Sequence, residues 1–425
     1  MKLQSYWLDT APRFALGIEG PLEGRADVAI IGGGFTGLSA ALALARKGAA
    51  VAVLEAGRVV SAASGRNGGH CNNGLAQDFA GIAARLGLDE ARALYQAFDA
   101  AVDTIERLVS EEAIDCGFRR SGKIKLAAKP AHYDGLARSF ELLQREVDPD
   151  TALIPASGLS AEIGSDRFHG GLLQKRSAMM HMGRFGTGLA EAAARRGARI
   201  FERAPVTGLA RRDGKGHELT TPRGMLRADQ VLLATGAYTR GPFGYFRRRV
   251  VPVGSFIVAT GPLAPATLDA IMPTRRTATT TKAIGNYFRI SPDDRLIFGG
   301  RARFAVSSPQ SDAKSGRVLE RAMGTIFPQL EGARIDYCWG GLVDMTADRL
   351  PRAGERGGLY YAMGYSGHGV QMSVHMGQVM AEVMNGRPER NPWAGRPWPA
   401  IPGHFGRPWF LPLVGAYYRA MDLLR

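Results

Sequence analysis

Asp27-Val-Ala-Ile-Ile31 runs directly into Gly32-Gly33-Gly34-Phe35-Thr36-Gly37, and the reading of this stretch decides the fold. The first five residues are apolar and partly β-branched, which predicts a short buried strand. The glycines at Gly32, Gly34 and Gly37 form GxGxxG. Leu38 to Lys47 is rich in Ala and Leu and predicts a helix closed by Gly48. Ala50 to Leu54 predicts a second strand, and Glu55 ends it eighteen positions after Gly37. In such a βαβ unit Gly32 permits the tight turn, Gly34 lets the backbone approach a pyrophosphate, and Gly37 lets helix and strand pack closely. The backbone at Phe35 and Thr36 opens the helix, whose amides and dipole favour phosphate. Glu55, followed by Ala56, is placed to accept hydrogen bonds from a ribose diol. Strand, glycines, helix, strand and acid agree, so the stretch predicts dinucleotide binding.

The motif leaves NAD and FAD open. A second glycine-rich stretch, Ala62-Ala-Ser-Gly-Arg-Asn-Gly-Gly69, follows Glu55 closely and is suited to wrap a diphosphate or flavin, with Ser64 as a donor. Further on, Leu94, Phe98, Val102, Ile105 and Leu108 recur at helical spacing within Ala91 to Glu112. Strands are predicted at Lys123 to Ala127, Gly171 to Leu173, Arg199 to Phe201, Pro205 to Leu209 and within Arg227 to Gly236, with a helix over Phe185 to Arg196. Val250 to Thr260, Tyr287 to Ile290, Leu296 to Gly300 and Ile335 to Trp339 alternate with turn residues and predict an antiparallel sheet. Leu359 to Met363 reads as a strand, then the turn Gly364-Tyr-Ser-Gly-His-Gly369, then a helix over Val370 to Asn385.

Composition sets outer limits. A chain of 425 residues implies two or more domains, and 45% hydrophobic with 22% charged residues is a globular composition. No apolar run has the length of a membrane helix, and Asp9, Glu19 and Glu23 precede the first hydrophobic run, so export is not expected. Cys71, Cys116 and Cys338 are odd in number and form no CxxC, which argues against disulfides and a metal site and suits a reducing cytoplasm. The net charge of +15 comes largely from arginines scattered in pairs, without the stripe or tail of a nucleic-acid domain. Solvated surface charge is the plain reading of these arginines, and a bias toward anionic ligands is the second.

Taken together, the blocks at 27–55 and 62–69, Ala234-Thr-Gly236, Asn286-Tyr-Phe-Arg289, Arg295 to Arg301, Trp339-Gly-Gly and Gly364 to Gly369 resemble the D-amino-acid oxidase superfamily of FAD-dependent amine and amino-acid oxidases. Within it they look most like the glycine/sarcosine oxidase and γ-glutamylputrescine oxidase branch. The resemblance spans residues 27 to 386. It implies an α/β plus α+β fold, a Rossmann-like FAD-binding domain interleaved with an antiparallel-sheet substrate domain. The FAD domain would take residues 1–84, 183–236 and 341–400, the substrate domain 85–182 and 237–340, and a tail helix 401–425. It implies an oxidase that cleaves a C–N bond of a small carboxylate-bearing amine by hydride transfer to flavin N5 and imine hydrolysis, with O2 reduced to peroxide. A dehydrogenase with another acceptor, or a γ-glutamylputrescine-type polyamine oxidase, is the alternative.

By the same resemblance, the FAD contacts would come from Gly32, Gly34, Phe35, Thr36, Gly37, Glu55, Ala56, Ser64, Arg66, Asn67, Gly68, Val206, Thr235, Gly236, Gly364, Gly367, His368 and Gly369. Catalytic roles would fall to Tyr287, Arg301, Tyr365 and His368, and substrate contacts to Arg66, Tyr287, Arg289, Arg301 and Trp339. Arginines suit a carboxylate because a guanidinium binds it bidentately. Two departures from sarcosine oxidases stand out. Ile297 occupies the place of their oxygen-activating lysine, which makes a dehydrogenase credible. Their flavin-attaching cysteine falls near Gly340 rather than Cys338, so noncovalent FAD is expected. The tail, Trp409 to Arg425, is an amphipathic segment expected to dock on the FAD domain, with a membrane surface as the other option.

Overall fold

A computed structural model describes residues 1–212, 216–300, 304 and 307–424. Its first large sheet orders strands Arg352–Arg356, Leu359–Met363, Gly224–Leu233, Arg25–Ile31, Val51–Leu54 and Arg199–Phe201. All adjacent pairs on this path are parallel except the outermost, Arg352–Arg356 with Leu359–Met363. An antiparallel extension, Gly208–Arg211 and His217–Thr221, feeds into Gly224–Leu233. The central strands are buried on both faces, which is why Ala29 to Ile31 and Val51 to Leu54 read as continuous apolar runs. Helix Phe35–Arg46 covers one face with Leu38, Leu42 and Ala41 and packs against helices Gly369–Met384 and Met182–Arg195.

The second sheet runs Ile335–Met345, Val251–Thr260, Leu296–Gly300, Asn286–Ile290, Thr277–Thr280, Lys123–Leu126, Gly170–Gln174, Ala152–Pro155. Every pairing is antiparallel except Thr277–Thr280 with Lys123–Leu126. Side chains alternate across a strand. Ile124, Leu126, Phe256, Val258, Phe288 and Phe298 therefore share one face and form a core with helix Pro309–Ile326. The opposite face turns toward the parallel sheet.

Strand Ile335–Met345 runs past the residue 340/341 boundary inferred from sequence, because it pairs with Val251–Thr260 along almost its whole length. The Gly340-Gly341 pair masks that continuity in the sequence. The tail also departs from expectation. Helix Leu411–Leu424 docks at the substrate sheet rather than on the parallel one, since both Asp422 carboxylate oxygens accept backbone N–H from Ala283 and Ile284 at 2.8 Å. Among the described residues no helix is long and apolar enough to cross a membrane.

Candidate active site

Between the two sheets lies a cavity of about 1360 Å³, continuous from the start of helix Phe35–Arg46 to the inner face of the antiparallel sheet. At its first end the chain makes a turn that only glycine fits. Gly32 has φ +113°, and a Cβ at Gly37 would stand 2.0 Å from the Gly32 carbonyl oxygen. Glu55 braces the turn, accepting N–H from Gly33 and from Gly57 at 2.7 Å each. Burial pushes its carboxyl above the usual range, while these amides pull the other way. Two bonds leave acceptor capacity on the carboxylate for a diol.

Ser64 takes on a task besides the donor role read in the sequence. Its hydroxyl accepts from the Phe35 N–H at 3.0 Å, so it satisfies one of the orphan amides that open the helix. Asn67 organises the same loop. Its amide donates to Ser64 O at 2.8 Å, its carbonyl accepts from Gly69 N–H at 2.8 Å, and its backbone oxygen accepts from Trp7 Nε1 at 2.6 Å. Arg66 donates to Ser61 O at 2.9 Å and Gly340 O at 3.1 Å, which ties the loop to the substrate sheet.

Ala56, Gly68, Val206, Thr235, Gly236, Gly367 and Gly369 also line the cavity, as do Gly32, Gly34, Phe35, Thr36, Glu55, Ser64, Arg66 and Asn67. Gly37 and Gly364 are not part of its lining: a Cβ at Gly37 would meet Gly32 O and one at Gly364 would meet Thr346. Asp344 links two of these segments. It accepts N–H from Gly364 at 2.6 Å through its carboxylate and from Ser366 at 3.1 Å through its backbone oxygen. Burial pushes its carboxyl up to about 6.

The turn Gly364 to Gly369 brings two predicted catalytic residues into the wall. Tyr365 shares a hydrogen bond with Thr36 Oγ1 at 2.8 Å, and burial raises its phenol well above the ordinary range. Bound to Thr36 and firmly protonated, it positions the turn against the helix and is ill suited to proton transfer. His368 is neutral at physiological pH, because burial, with Lys123 and Lys125 nearby, pushes it down to about 3. A catalytic acid/base role near neutrality is thereby disfavoured. Its Nδ1 is buried without a hydrogen-bond partner among the described residues.

Tyr287 enters from the sheet. Its ring lies across bare backbone: a Cβ at Gly68 or Gly299 would come within 2.5 and 2.3 Å of it. The phenol pairs with Ser255 Oγ at 2.9 Å. Two of the sheet residues predicted to hold substrate do not reach the cavity. Arg289 is 1% exposed and donates to Gly69 O at 2.6 Å and Met180 O at 2.9 Å, with its guanidinium 5.3 Å from the Trp7 ring. It lies on the cavity-side face, but the loop at Gly69 covers it, and its work is to hold that loop. Trp339 is fully buried and donates to Arg66 O at 3.1 Å, a support behind the loop. Arg301 lies outside the described residues. Cys338 packs against Gly316 in the core of the antiparallel layer and does not line the cavity.

Sequence reasoning passed over Lys123 and Lys125. Both line the cavity from the strand opposite the cofactor turn. The signal was available in Lys123-Ile-Lys125-Leu126, whose alternation puts both ammonium groups on one face and both apolar side chains on the other. Burial lowers both lysines, Lys123 to about 8.

The residues present fit FAD. The glycine turn leaves no room for side chains, Glu55 retains acceptor capacity, and His368, which lines the cavity at a helix start, keeps a buried Nδ1 without a partner among the described residues. Comparison with known proteins agrees. Residues 27–383 match the family model described as FAD dependent oxidoreductase (DAO). The chain is 34% identical over 372 residues to the probable oxidoreductase OrdL of Haemophilus influenzae, covering 86% of this chain and 84% of that one. It is 32% identical to the γ-glutamylputrescine oxidoreductase of Escherichia coli, covering 94% and 93%. The crystal structure of glycine oxidase from Geobacillus kaustophilus superposes with a TM-score of 0.70 at 25% identity, over 86% of this chain and 95% of that one. A glycine cradle braced by an acid, facing a cavity closed by an antiparallel sheet, is thus the site of a flavoenzyme, and the chain belongs to the FAD dependent oxidoreductase (DAO) family.

Proposed function

We propose that the protein oxidises the C–N bond of an amine that also carries a carboxylate, such as glycine, sarcosine, iminodiacetate or another N-substituted amino acid. The observation that carries this reading is the make-up of the cavity, where the cofactor cradle faces a wall bearing Tyr287, Lys123 and Lys125. The lysines supply positive charge for an acid group that reaches across the cavity, a part that buried Arg289 cannot play. Bound FAD supplies the two-electron acceptor. The chain's own residues bind and orient. Tyr287 packs on bare backbone between the cradle loop and the sheet, and neutral His368 offers one N–H and one lone pair at the turn. The imine released takes up water to give a carbonyl compound and an amine or ammonia, and O2 returns as peroxide.

Two observations favour a second reading within the same chemistry. Ile297, where sarcosine oxidases carry a lysine, is fully buried in the core, which suits a dehydrogenase with an acceptor other than O2. The Escherichia coli relative is named for γ-glutamylputrescine, an amine whose carboxylate lies far from the oxidised nitrogen. A panel of amines mixed anaerobically with the FAD-loaded protein tests both. Loss of flavin colour with carboxylate-bearing amines, followed by prompt peroxide on admitting air, is the expected result. Slow recolouring in air turns the reading to the dehydrogenase, and bleaching by carboxylate-free amines alone overturns it.

A further inference from the structure

The polar groups in the substrate half of the cavity are unequally committed. Strand register sets up two rows on the cavity face. Leu172, Lys125, Thr279 and Tyr287 stand side by side on successive strands, and Gln174, Lys123 and Thr277 form the next row. Lys125 has no hydrogen-bond or ion-pair partner among the described residues. Lys123 donates one N–H to Asn73 O and retains two.

Asp99, Asp148 and Asp78 act on this pair through space, and none of them forms an ion pair with either lysine among the described residues. Asp148 accepts from Tyr95 at 3.0 Å and from Gln174 at 3.2 Å, and Asp78 accepts from Gly81 N–H and Ser139. Two largely buried ammonium groups on the cavity wall carry a desolvation cost that an incoming anion offsets. Lys125 stands two strands from Tyr287, about 10 Å at the usual strand spacing. That separation is several bonds longer than the span from nitrogen to carboxylate in glycine.

We infer that Lys125, assisted by Lys123, forms a carboxylate subsite for the far end of an extended substrate, an amine whose acid group is several bonds from the nitrogen that reacts. The inference rests on the amine-oxidising reading of this cavity and assigns it a substrate class. Lysine suits such a task, as a point charge on a long stem that reaches chains of different length.

Isothermal titration of the FAD-loaded protein under anaerobic conditions tests it, with glycine, aminobutyrate and aminohexanoate as probes and hexylamine as the tail without an acid. Aminohexanoate is expected to bind at least about tenfold tighter than hexylamine, a difference of about 1.4 kcal/mol. Lys125→Met should remove that advantage, leave hexylamine within about twofold, and spare glycine; Lys125→Arg should keep most of it. Retained flavin colour shows that each variant is folded. Equal losses for hexylamine and aminohexanoate, equal losses for glycine, or no loss at all each overturn the subsite. Its failure is distinguishable from failure of the wider reading. Lys125-dependent binding without flavin bleaching by any amine leaves the subsite standing and removes the oxidation, whereas bleaching by carboxylate-bearing amines that ignores Lys125 does the reverse.

Discussion

The two halves of the cavity are built on opposite terms. In the cofactor half the polar side chains are largely occupied by the chain itself: Glu55 by Gly33 and Gly57, Ser64 by Phe35, Asn67 by its own loop. In the substrate half, Lys125 has no hydrogen-bond or ion-pair partner among the described residues. A cradle that satisfies its own groups is preorganised and has one shape. A wall with open charge is shaped by whatever binds there, which makes it the place where relatives of one fold can differ in substrate.

The comparison is most sharply tested with two glycines. Gly37→Ala puts a Cβ 2.0 Å from backbone oxygen, which cannot swing aside. Overpacking of this kind costs about 3 kcal/mol or more, so FAD affinity should fall beyond about a hundredfold, read as loss of bound flavin. Gly299→Ala meets the Tyr287 ring at 2.3 Å, a side chain that can rotate. It should keep FAD and lose amine affinity. If both variants lose flavin equally, the two halves are not independent.

Arg289→Met comes next. It leaves Gly69 O and Met180 O without their donor. The expected cost is about 2–4 kcal/mol of stability. The melting midpoint should drop by several degrees while carboxylate affinity of the folded, flavin-loaded fraction stays as in the parent. A selective loss of carboxylate affinity with unchanged melting would restore Arg289 as an anchor.

The smallest effect is a pH dependence. Carboxylate binding needs charged lysine, and burial pushes Lys123 down to about 8 while also lowering Lys125. Affinity for aminohexanoate should therefore be level near neutrality and fall by up to about tenfold per unit once pH rises through the lysine range, since proton loss removes the attraction. The groups around Lys123 and Lys125 are Asp99 and Tyr95 on helix Leu88–Glu111, Asp148, Asp78 and His368. His368 is already neutral there, and hexylamine carries the same amine as the probe, so a fall seen with aminohexanoate and absent with hexylamine reports the lysines. Level affinity through pH 9 and above would show that neither ammonium meets the ligand.

Much of the cofactor half is legible in sequence because it is local. The residues from Asp27 to Gly69 form strand, turn, helix, strand and loop in order, and each glycine answers to a neighbour in the same stretch. The antiparallel layer is legible as strands, though Thr277–Thr280 and the helices Pro130–Glu146 and Pro309–Ile326 carry weaker patterns. The parity of Arg289 is also readable: it shares a face with Tyr287. That a loop two hundred residues earlier in the chain roofs it is not. The tail shows the same limit, since its amphipathic pattern indicates burial of one face but not that Asp422 caps Ala283 and Ile284.

By itself, then, the sequence determined a turn that receives a dinucleotide, and its blocks between residues 27 and 386 pointed to FAD and the family. The turn follows from steric and hydrogen-bonding demands within a few dozen consecutive residues. Only the tertiary structure decided which cations serve the substrate. Lys125 and Arg289 lie on the same sheet face, one open to the cavity and one sealed beneath the Gly69 loop. The physical reason is that register and loop cover are settled by contacts between segments far apart in the chain, and a cation becomes an anchor or a brace according to what covers it.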